Sequence, residues 1–547
     1  MKAKKHILAA AVTLIVAAVG FYVTLPAISI HNPDLLWDIA VLAVVYRLML
    51  SLGSVWETIK SRDTSFLQGG KPSFRDMSRA TRVTVCIAAV CLAVGVIGTM
   101  TGWQLFRAAS YRQLLSVSEG DFTKDVQEIT YDRIPTLDYD SATKLGTRKM
   151  GELSDMVSQF TVLDNYTQIN YKGRPTRVTP LGYADLFKWI NNVGAGIPAY
   201  ISIDMVSQEV SVHRLESGMK YSNSDHFDRY LLRHLRFHYP TYIFSEANFE
   251  IDEDGTPFWV CPRIRYRIGL YGGRDICGVV LVNAVTGEHH YYDVADVPAW
   301  VDRVYDAEMI IEQYDYFGTL QKGYWNSVFG QKDCKQTTDG YNYIAIGDDV
   351  YMYTGVTSVA ADESNVGFIL TNQRTKATSF YPIAGAEEFS AMSSAEGEVQ
   401  NLKYQATFPL LLNVGGEPTY FIALKDNAGL VKMYAMVNVR QYQIVGKGQS
   451  LEECEKNYVA LIGTSDLQEE KAPAETATVT GVITDIRTAV VGGNSVYYFR
   501  VEGSDATFKK SVAEQEDIVT LTAGDTVTVV YEQANGALLS AQSITKQ

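Results

Sequence analysis

The sequence predicts an α+β protein: N-terminal transmembrane helices, then repeated helix-plus-antiparallel-sheet modules, then a small all-β barrel. Three observations carry this. Three apolar runs of near-spanning length fall within residues 1–103. Strand–turn–strand hairpins built on Asp or Asn recur downstream of short helices. After residue 477 the chain reads almost entirely as short strands.

The totals fit this outline. At 547 residues the chain is long enough for several domains of roughly 100–200 residues each. A formal net charge of -14 argues against a general nucleic-acid binder, which carries a basic face, so nucleic acid is not an expected partner. The 34 tyrosines suit β-rich surfaces as well as cores. Of six cysteines, Cys86 and Cys91 lie in the third apolar run, and Cys261, Cys277, Cys334 and Cys454 are scattered without a CxxC pair. That is neither a disulfide framework nor a zinc pattern, and it fits free buried thiols or a single disulfide.

The membrane region is 1–103, with predicted helices at about 7–28, 35–52 and 83–103. The first follows the basic MKAKK. It is longer than the apolar core of a secretory signal, and no small-x-small site follows, so an uncleaved helix is expected. The second, LLWDIAVLAVVYRLMLSL, carries Asp38 and Arg47 near its ends, where both ions can snorkel to water; an intramembrane charge pair is the sharper alternative. The third, VTVCIAAVCLAVGVIGTMTGW, has the length of a bilayer core, about 20 apolar residues. Residues 53–82 hold Lys60, Arg62, Lys71, Arg75, Arg79 and Arg82, whereas the IHNP link has no Lys or Arg. The positive-inside rule then puts the N-terminus and the 53–82 loop in the cytoplasm. Residues 104–547 fall outside, as a multi-pass protein of the cell membrane; Arg107 and Arg112 oppose this mildly. The lipid bilayer is the first expected partner. Gly98 and Gly102 form a small-xxx-small face that suits pairing with another helix, and with it a homo-oligomer; glycine is also simply common in membrane helices.

Residues 104–160 read as a helical stalk and an irregular acidic linker. A first α+β region is expected over 161–300 and a second over 301–464. Their hairpins place an apolar strand before an Asp or Asn, with Ser or Thr three residues later: Asp204/Ser207, Asn283/Thr286 and Asn372/Thr375. Asp426 with Gly429 reads as a looser fourth copy. Asp and Asn favour such turns by bonding nearby backbone N–H groups. A larger order, helix–strand–turn–strand–turn–strand, appears after 226–237 and again after 387–402, as duplicated modules would give.

VVLVNAVTGEHHYY resembles the end of a PepSY module, and TYFIALKDNAG resembles the same element more loosely. The resemblance covers roughly 222–296 and 384–446; the first copy departs from it through RYRIGLYGGRD. It implies a binding or inhibitory module without catalytic residues, of the kind found in protease propeptides and membrane-anchored envelope proteins. Residues 465–477, polar and proline-bearing, read as a linker. Over 478–547, the strands TATVTGVITDIRTAV, SVYYFRVEG, ATFKKSV, DTVTVVYE and ALLSAQSI resemble an OB-fold barrel in number and order, with a short helix near 513–518.

Candidate chemistry is sparse. Arg263, Arg265 and Arg267 alternate along one strand and so share a face, with Arg274 in the following loop. Together they suit an anionic ligand, such as a lipid headgroup, a wall polymer or an acidic peptide, or else a solvated face paired with local acids. His226, Tyr230, His234 and His238 recur every four residues, on one face of the predicted helix. His234 and His238 have metal-ligand spacing, but no third ligand is evident, so packing is expected and no metal or cofactor is assigned. Glu250, Asp252 and Asp254 faintly resemble a calcium loop, but Cys261 stands where a bidentate carboxylate is needed; an Asp-Gly hairpin fits better. Tyr497, Tyr498, Phe499 and Phe508 suit either a stacking platform or a barrel core. No GxSxG, Walker loop or Cys–His pairing occurs, so no catalytic residue is assigned. The expectation is a non-catalytic, membrane-anchored envelope protein that binds or regulates a partner, an envelope protein or an anionic polymer. An envelope hydrolase and a structural subunit of a membrane assembly are the alternatives.

Overall fold

The computed structural model describes residues 2–61, 79–128, 133–359, 364–469, 476–491, 494–504, 506–512, 515–532 and 538–547. The chain forms two compact units, Met1–Val459 and Ala460–Gln547.

The first unit begins with helices α1 (Lys2–Thr24), α2 (Pro33–Ser61) and α3 (Arg79–Thr101). Each contains a stretch long and apolar enough to cross a membrane: Lys4–Thr24, Pro33–Leu52 and Thr81–Thr101. In the 53–82 loop, Arg62, Lys71 and Arg75 lie outside the described residues.

The expected stalk is not a stalk. Trp103 adopts an extended backbone (φ -63°, ψ 133°) and breaks α3 from α4 (Gln104–Arg112). Tyr111, Leu114 and Leu115 are then buried, and Tyr111 packs edge-on to Tyr316. Strand β1 (Val117–Glu119) joins a sheet, and α5 (Phe122–Asp125) buries Phe122. The apolar positions between 104 and 160 were too widely spaced to show a period, yet Leu114, Leu115, Phe122, Ile134 and Met156 are core residues.

Four blocks follow, each a helix and five strands. The first has α6 (Tyr139–Gly151), β2 (Phe160–Val162), β3 (Thr167–Tyr171), β4 (Arg174–Tyr183), β5 (Ile197–Asp204) and β6 (Val210–Met219), with a short helix α7 (Leu186–Asn192) inserted before β5. The second has α8 (Leu231–His238), β7 (Ile243–Phe244), β8 (Asn248–Ile251), β9 (Pro257–Ile268), β10 (Gly272–Asn283) and β11 (His289–Asp293). The third has α9 (Ala307–Thr319), β12 (Lys335–Thr337), β13 (Asn342–Ile346), β14 (Asp349–Ser358), β15 (Ser364–Asn372) and β16 (Thr378–Tyr381), with β17 (Gly385–Ala386) added on β15. The fourth has α10 (Glu388–Gly397), β18 (Gln405–Ala406), β19 (Leu410–Val414), β20 (Glu417–Lys425), β21 (Val431–Asn438) and β22 (Val445–Gly448).

The pairing order is the same in all four. In the second block it runs β11-β10-β9-β7 with β8 on β9, and in the fourth β22-β21-β20-β18 with β19 on β20. The first and third give β6-β5-β4-β2 with β3 on β4, and β16-β15-β14-β12 with β13 on β14. The last hairpin of each block is closed by one side chain. Asp204 Oδ1 accepts from the N–H of Val206 and Ser207, Asn283 Oδ1 from Val285 and Thr286, and Asn372 Oδ1 from Arg374 and Thr375, all at 2.9–3.0 Å. The fourth member is Asn438, which accepts from Arg440 and Gln441 at 2.9 Å. This corrects the assignment to Asp426, which caps the preceding turn, between β20 and β21.

Core packing joins the blocks. Phe249, Trp259, Val280 and Val282 of the second share one apolar cluster with Ile169, Val178 and Ile201 of the first. Val279 and Leu281 face the other way, onto Met309, Ile310 and Met352 of the third. A buried ion pair, Lys376–Asp275 at 2.6 Å, adds to the second–third junction.

Helix α11 (Leu451–Glu469) buries Cys454 and Tyr458 within the first unit and runs past the boundary at Val459. Of the expected linker 465–477, residues 465–469 are therefore helical, and 470–475 lie outside the described residues. In the second unit, strands β23 (Thr476–Val491), β24 (Asn494–Val501), β25 (Thr507–Ser511), β26 (Thr526–Glu532) and β27 (Leu538–Lys546) close in the order β23-β24-β25-β27-β26. The β25–β27 pair is parallel and the others are antiparallel. Phe499 and Phe508 fill its interior, which settles them as core residues. All six cysteines are free.

Candidate functional site

The most chemically loaded region is where the second block meets the membrane helices. It starts from a short helix. The predicted helix over 226–237 is shorter than its pattern suggests. His226 is extended, a single 3₁₀ turn covers Phe227–Arg229, and Tyr230 (ψ 118°) starts α8. His226 packs against Trp189 instead of joining the later histidines.

Helix α8 serves three directions. Leu231 and Leu235 enter the core. Arg233, Arg236 and Phe237 turn to the end of α1. Phe237 meets Phe21 edge-on at 5.8 Å, and Arg233 lies over Tyr22 and donates to its carbonyl. Arg236 is buried, and its Nε donates to Leu25 O at 2.9 Å, while its Nη1 donates to Tyr242 O at 2.6 Å. A cation there faces the negative end of the α1 dipole. Burial holds its proton affinity below that of an ordinary guanidinium.

The third direction is the imidazole face. His234 and His238, one turn apart, meet His289 at the start of β11. One ring nitrogen from each lies within 4.8 Å of the other two. The ring centroids are 4.4–5.3 Å apart. Asn283 closes the β10–β11 turn, and Gly287 (φ 76°) adopts a backbone that a side chain would push into the Tyr221 ring. This turn aims the Gly287 carbonyl at His234 Nε2, 2.9 Å away, and delivers His289 two residues later. His238 Nδ1 donates to the His234 carbonyl at 2.8 Å, and His289 Nδ1 bonds the Tyr239 hydroxyl at 2.9 Å. Burial, then repulsion among the rings, lowers the proton affinity of His234 and His289. Sequence spacing exposed the i, i+4 pair but not His289, which only the hairpin fold brings to α8. The pairing of EHHYYDV beside GVVLVN was the available signal.

The expected anionic site does not assemble as an open patch. Arg263 lies over the Tyr242 ring at 3.7 Å, Arg267 pairs with Asp275 at 2.8 Å, and Arg274 reaches Glu312 at 3.9 Å. Arg265 alone of the four stands exposed without such a partner among the described residues. The groups that engage the others come from the connection before β7, from β10 and from α9, which sequence alternation cannot locate. Asp252 Oδ1 accepts from Asp254 and Thr256 N–H, so that segment is a hairpin turn. Glu250 is buried and accepts from the Asp302 and Arg303 N–H groups.

Gly98 and Gly102 are used within the chain. A Cβ on Gly98 would stand 2.5 Å from Tyr271 and 2.9 Å from Leu270; one on Gly102 would stand 3.2 Å from Gly272 N. Within the chain, this close approach is to the β9–β10 turn. The RYRIGLYGGRD segment that departs from the resembled family is the seat for α3. His31, in the α1–α2 link, bonds Leu270 O through Nδ1 at 2.8 Å, and Ile28 N donates to Pro240 O at 2.8 Å.

No family model matches the chain, and no curated protein does. Among solved structures, a levansucrase variant from B. megaterium is similar at 11% identity and a TM-score of 0.18, covering 79% of this chain and 97% of that one. A dihydro-heme d1 dehydrogenase, NirN, has 8% identity and a TM-score of 0.13, covering 71% and 66%. Scores this low establish no shared fold.

Proposed function

We propose that this is a membrane-anchored protein of the cell envelope whose extracytoplasmic region, 104–547, binds or regulates a partner and catalyses no reaction of its own. The observation that carries this reading is the double seat on the second block. The α1–α2 link docks through Ile28 and His31, and the end of α3 docks through Gly102, onto the same block. The link and the end of α3 then share one side of the bilayer, which fits three crossings. The basic 53–82 loop falls on the other side, where cytoplasmic loops gather Lys and Arg.

The binding role is supported by four stacked blocks of one topology, two of which carry the PepSY-like hairpins, and by a five-stranded ring whose order suits an OB-like barrel. The partner is an envelope protein or an anionic polymer. An impermeant maleimide applied to intact cells tests the orientation. Val519→Cys, at an exposed position of the second unit, is expected to label, and Lys71→Cys only after lysis. The reverse pattern refutes the reading. Cross-linking of the full chain in cells, followed by identification of the attached species, tests the partner; recovery of cytoplasmic proteins alone refutes it.

A further inference from the structure

We propose that His234, His238 and His289 bind one divalent transition-metal ion of the zinc class, at the face where α8 meets the start of β11.

The three donors come from two elements that the fold holds side by side, with ligand nitrogens within 4.8 Å of one another. Zn–N bonds of 2.0–2.1 Å at tetrahedral angles need nitrogens about 3.4 Å apart. The rings need to turn inward by at most about 1.4 Å per nitrogen pair to reach that spacing. Imidazole donors favour zinc, copper or nickel over magnesium or calcium, which take oxygen ligands.

The surroundings resemble a supported metal shell. Metal-binding histidines generally bond their other nitrogen to a carbonyl, hydroxyl or carboxylate, which fixes ring orientation. Here His234 bonds the Gly287 carbonyl, His238 the His234 carbonyl and His289 the Tyr239 hydroxyl. Three rings converge here, and each already has one nitrogen hydrogen-bonded, which fixes its orientation. His238 is exposed, so the fourth coordination position opens to water or to a small ligand from solution. A bound ion would also fasten α8, which grips the end of α1 through Arg233 and Arg236, to the β10–β11 hairpin.

The test uses the full chain in detergent, purified without a histidine tag and stripped of metal. Zn²⁺ is titrated in competition with a chromogenic chelator, and Co²⁺ binding is followed by its visible absorption. The expected result is one ion per chain, with the intense d–d bands of tetrahedral cobalt. His238→Ala and His289→Ala should each weaken binding by about 100-fold or more, and Tyr239→Phe by about 10- to 100-fold. His213→Ala, whose ring bonds Ser202 elsewhere, should bind as the parent does. Metal-free thermal melts report whether each variant folds; if His289→Ala does not, His238→Ala, altering an exposed ring, decides alone. Failure to bind one equivalent, or binding that His238→Ala leaves intact, overturns the proposal.

Discussion

Replacing Arg236 by Met should loosen the grip of the folded region on the first membrane helix. The perturbation removes a buried guanidinium and keeps a long apolar stem. Two strong bonds are lost, Nε to Leu25 O at 2.9 Å and Nη1 to Tyr242 O at 2.6 Å; the contacts to Tyr239 O and Pro240 O, at 3.3 Å, are weaker. Bonds from a charged donor contribute about 1.5–3 kcal/mol each, so the gross loss is about 3–6 kcal/mol. Part returns because the variant no longer buries a charge, leaving a net cost of about 2–4 kcal/mol. With roughly 2.1 cal/mol/K of unfolding entropy per residue, a unit ending at Val459 loses about 1 °C of Tm per kcal/mol. The expected drop in a detergent melt is therefore about 2–4 °C. Hydrogen exchange gives a local reading: the Ile28 amide, bonded to Pro240 O, should exchange about 30-fold faster or more. Arg233→Met is the comparison: its bonds to Tyr22 O and Phe227 O come from a more exposed side chain, so it should cost less than Arg236→Met. Equal effects of the two variants, or unchanged Ile28 exchange in Arg236→Met, would refute the reasoning.

Gly269→Ala should cost about 2–3 kcal/mol in the same melt, because φ is 61° and a Cβ would stand 2.8 Å from Gly102 N; Gly173→Ala, with φ 76° and open space, should cost only about 1 kcal/mol. Similar costs at the two sites would show that the α3 seat is not tight. Burial pushes the Asp225 carboxyl up to about 6, against bonds from Ser222 and Trp189 that favour its charge. The folded state then holds more protons than the unfolded state between about pH 4 and 6, so this group's share of stability falls as pH rises through that window and is level above it. Asp225→Asn should remove a fall of up to about 3 kcal/mol between pH 4 and 7, read as the difference between parent and variant unfolding curves; parallel curves would count against it.

Much of this was legible in sequence, for reasons of range. Spanning helices depend only on composition over about 20 residues, and all three expected spans coincide with apolar helices. The Asp and Asn hairpins are local hydrogen-bond devices, so Asp204, Asn283 and Asn372 could be read directly. Asn438 was missed because its turn lacks the Ser or Thr three residues on, while Asp426 sits in a turn with stronger glycine chemistry. What failed was long-range. His289 reaches His234 only when β11 folds back beside α8. Arg263 is engaged by Tyr242, just before β7, and Arg267 by Asp275 of β10. Gly98 and Gly102 look the same whether the surface covering them is a helix or a loop.

The four blocks hold together through one recurrent position. The third element of each, β3, β8, β13 or β19, carries a polar side chain, buried or partly so, that reaches outside its own sheet. From β3, Asn170 donates to Gly347 O at 3.0 Å and Gln168 to Tyr343 O at 3.4 Å, both in the third block. From β8, Glu250 accepts from Asp302 and Arg303, in the connection to the third block. From β13, Asn342 donates to Phe408 O and Pro409 O of the fourth block, and from β19, Asn413 donates to Val126 O at 2.7 Å. Apolar sheet faces tolerate sliding, whereas a buried amide nitrogen that finds its acceptor at one register loses it at any other, at about 1–3 kcal/mol each. Four separate links of this kind favour a single arrangement over a string of independent modules. They also mean that a load on the α1 and α3 seats of the second block passes to the first and third directly and reaches the fourth through Asn342. The helices α1 and α3 are thus tied, through the second block, to all four.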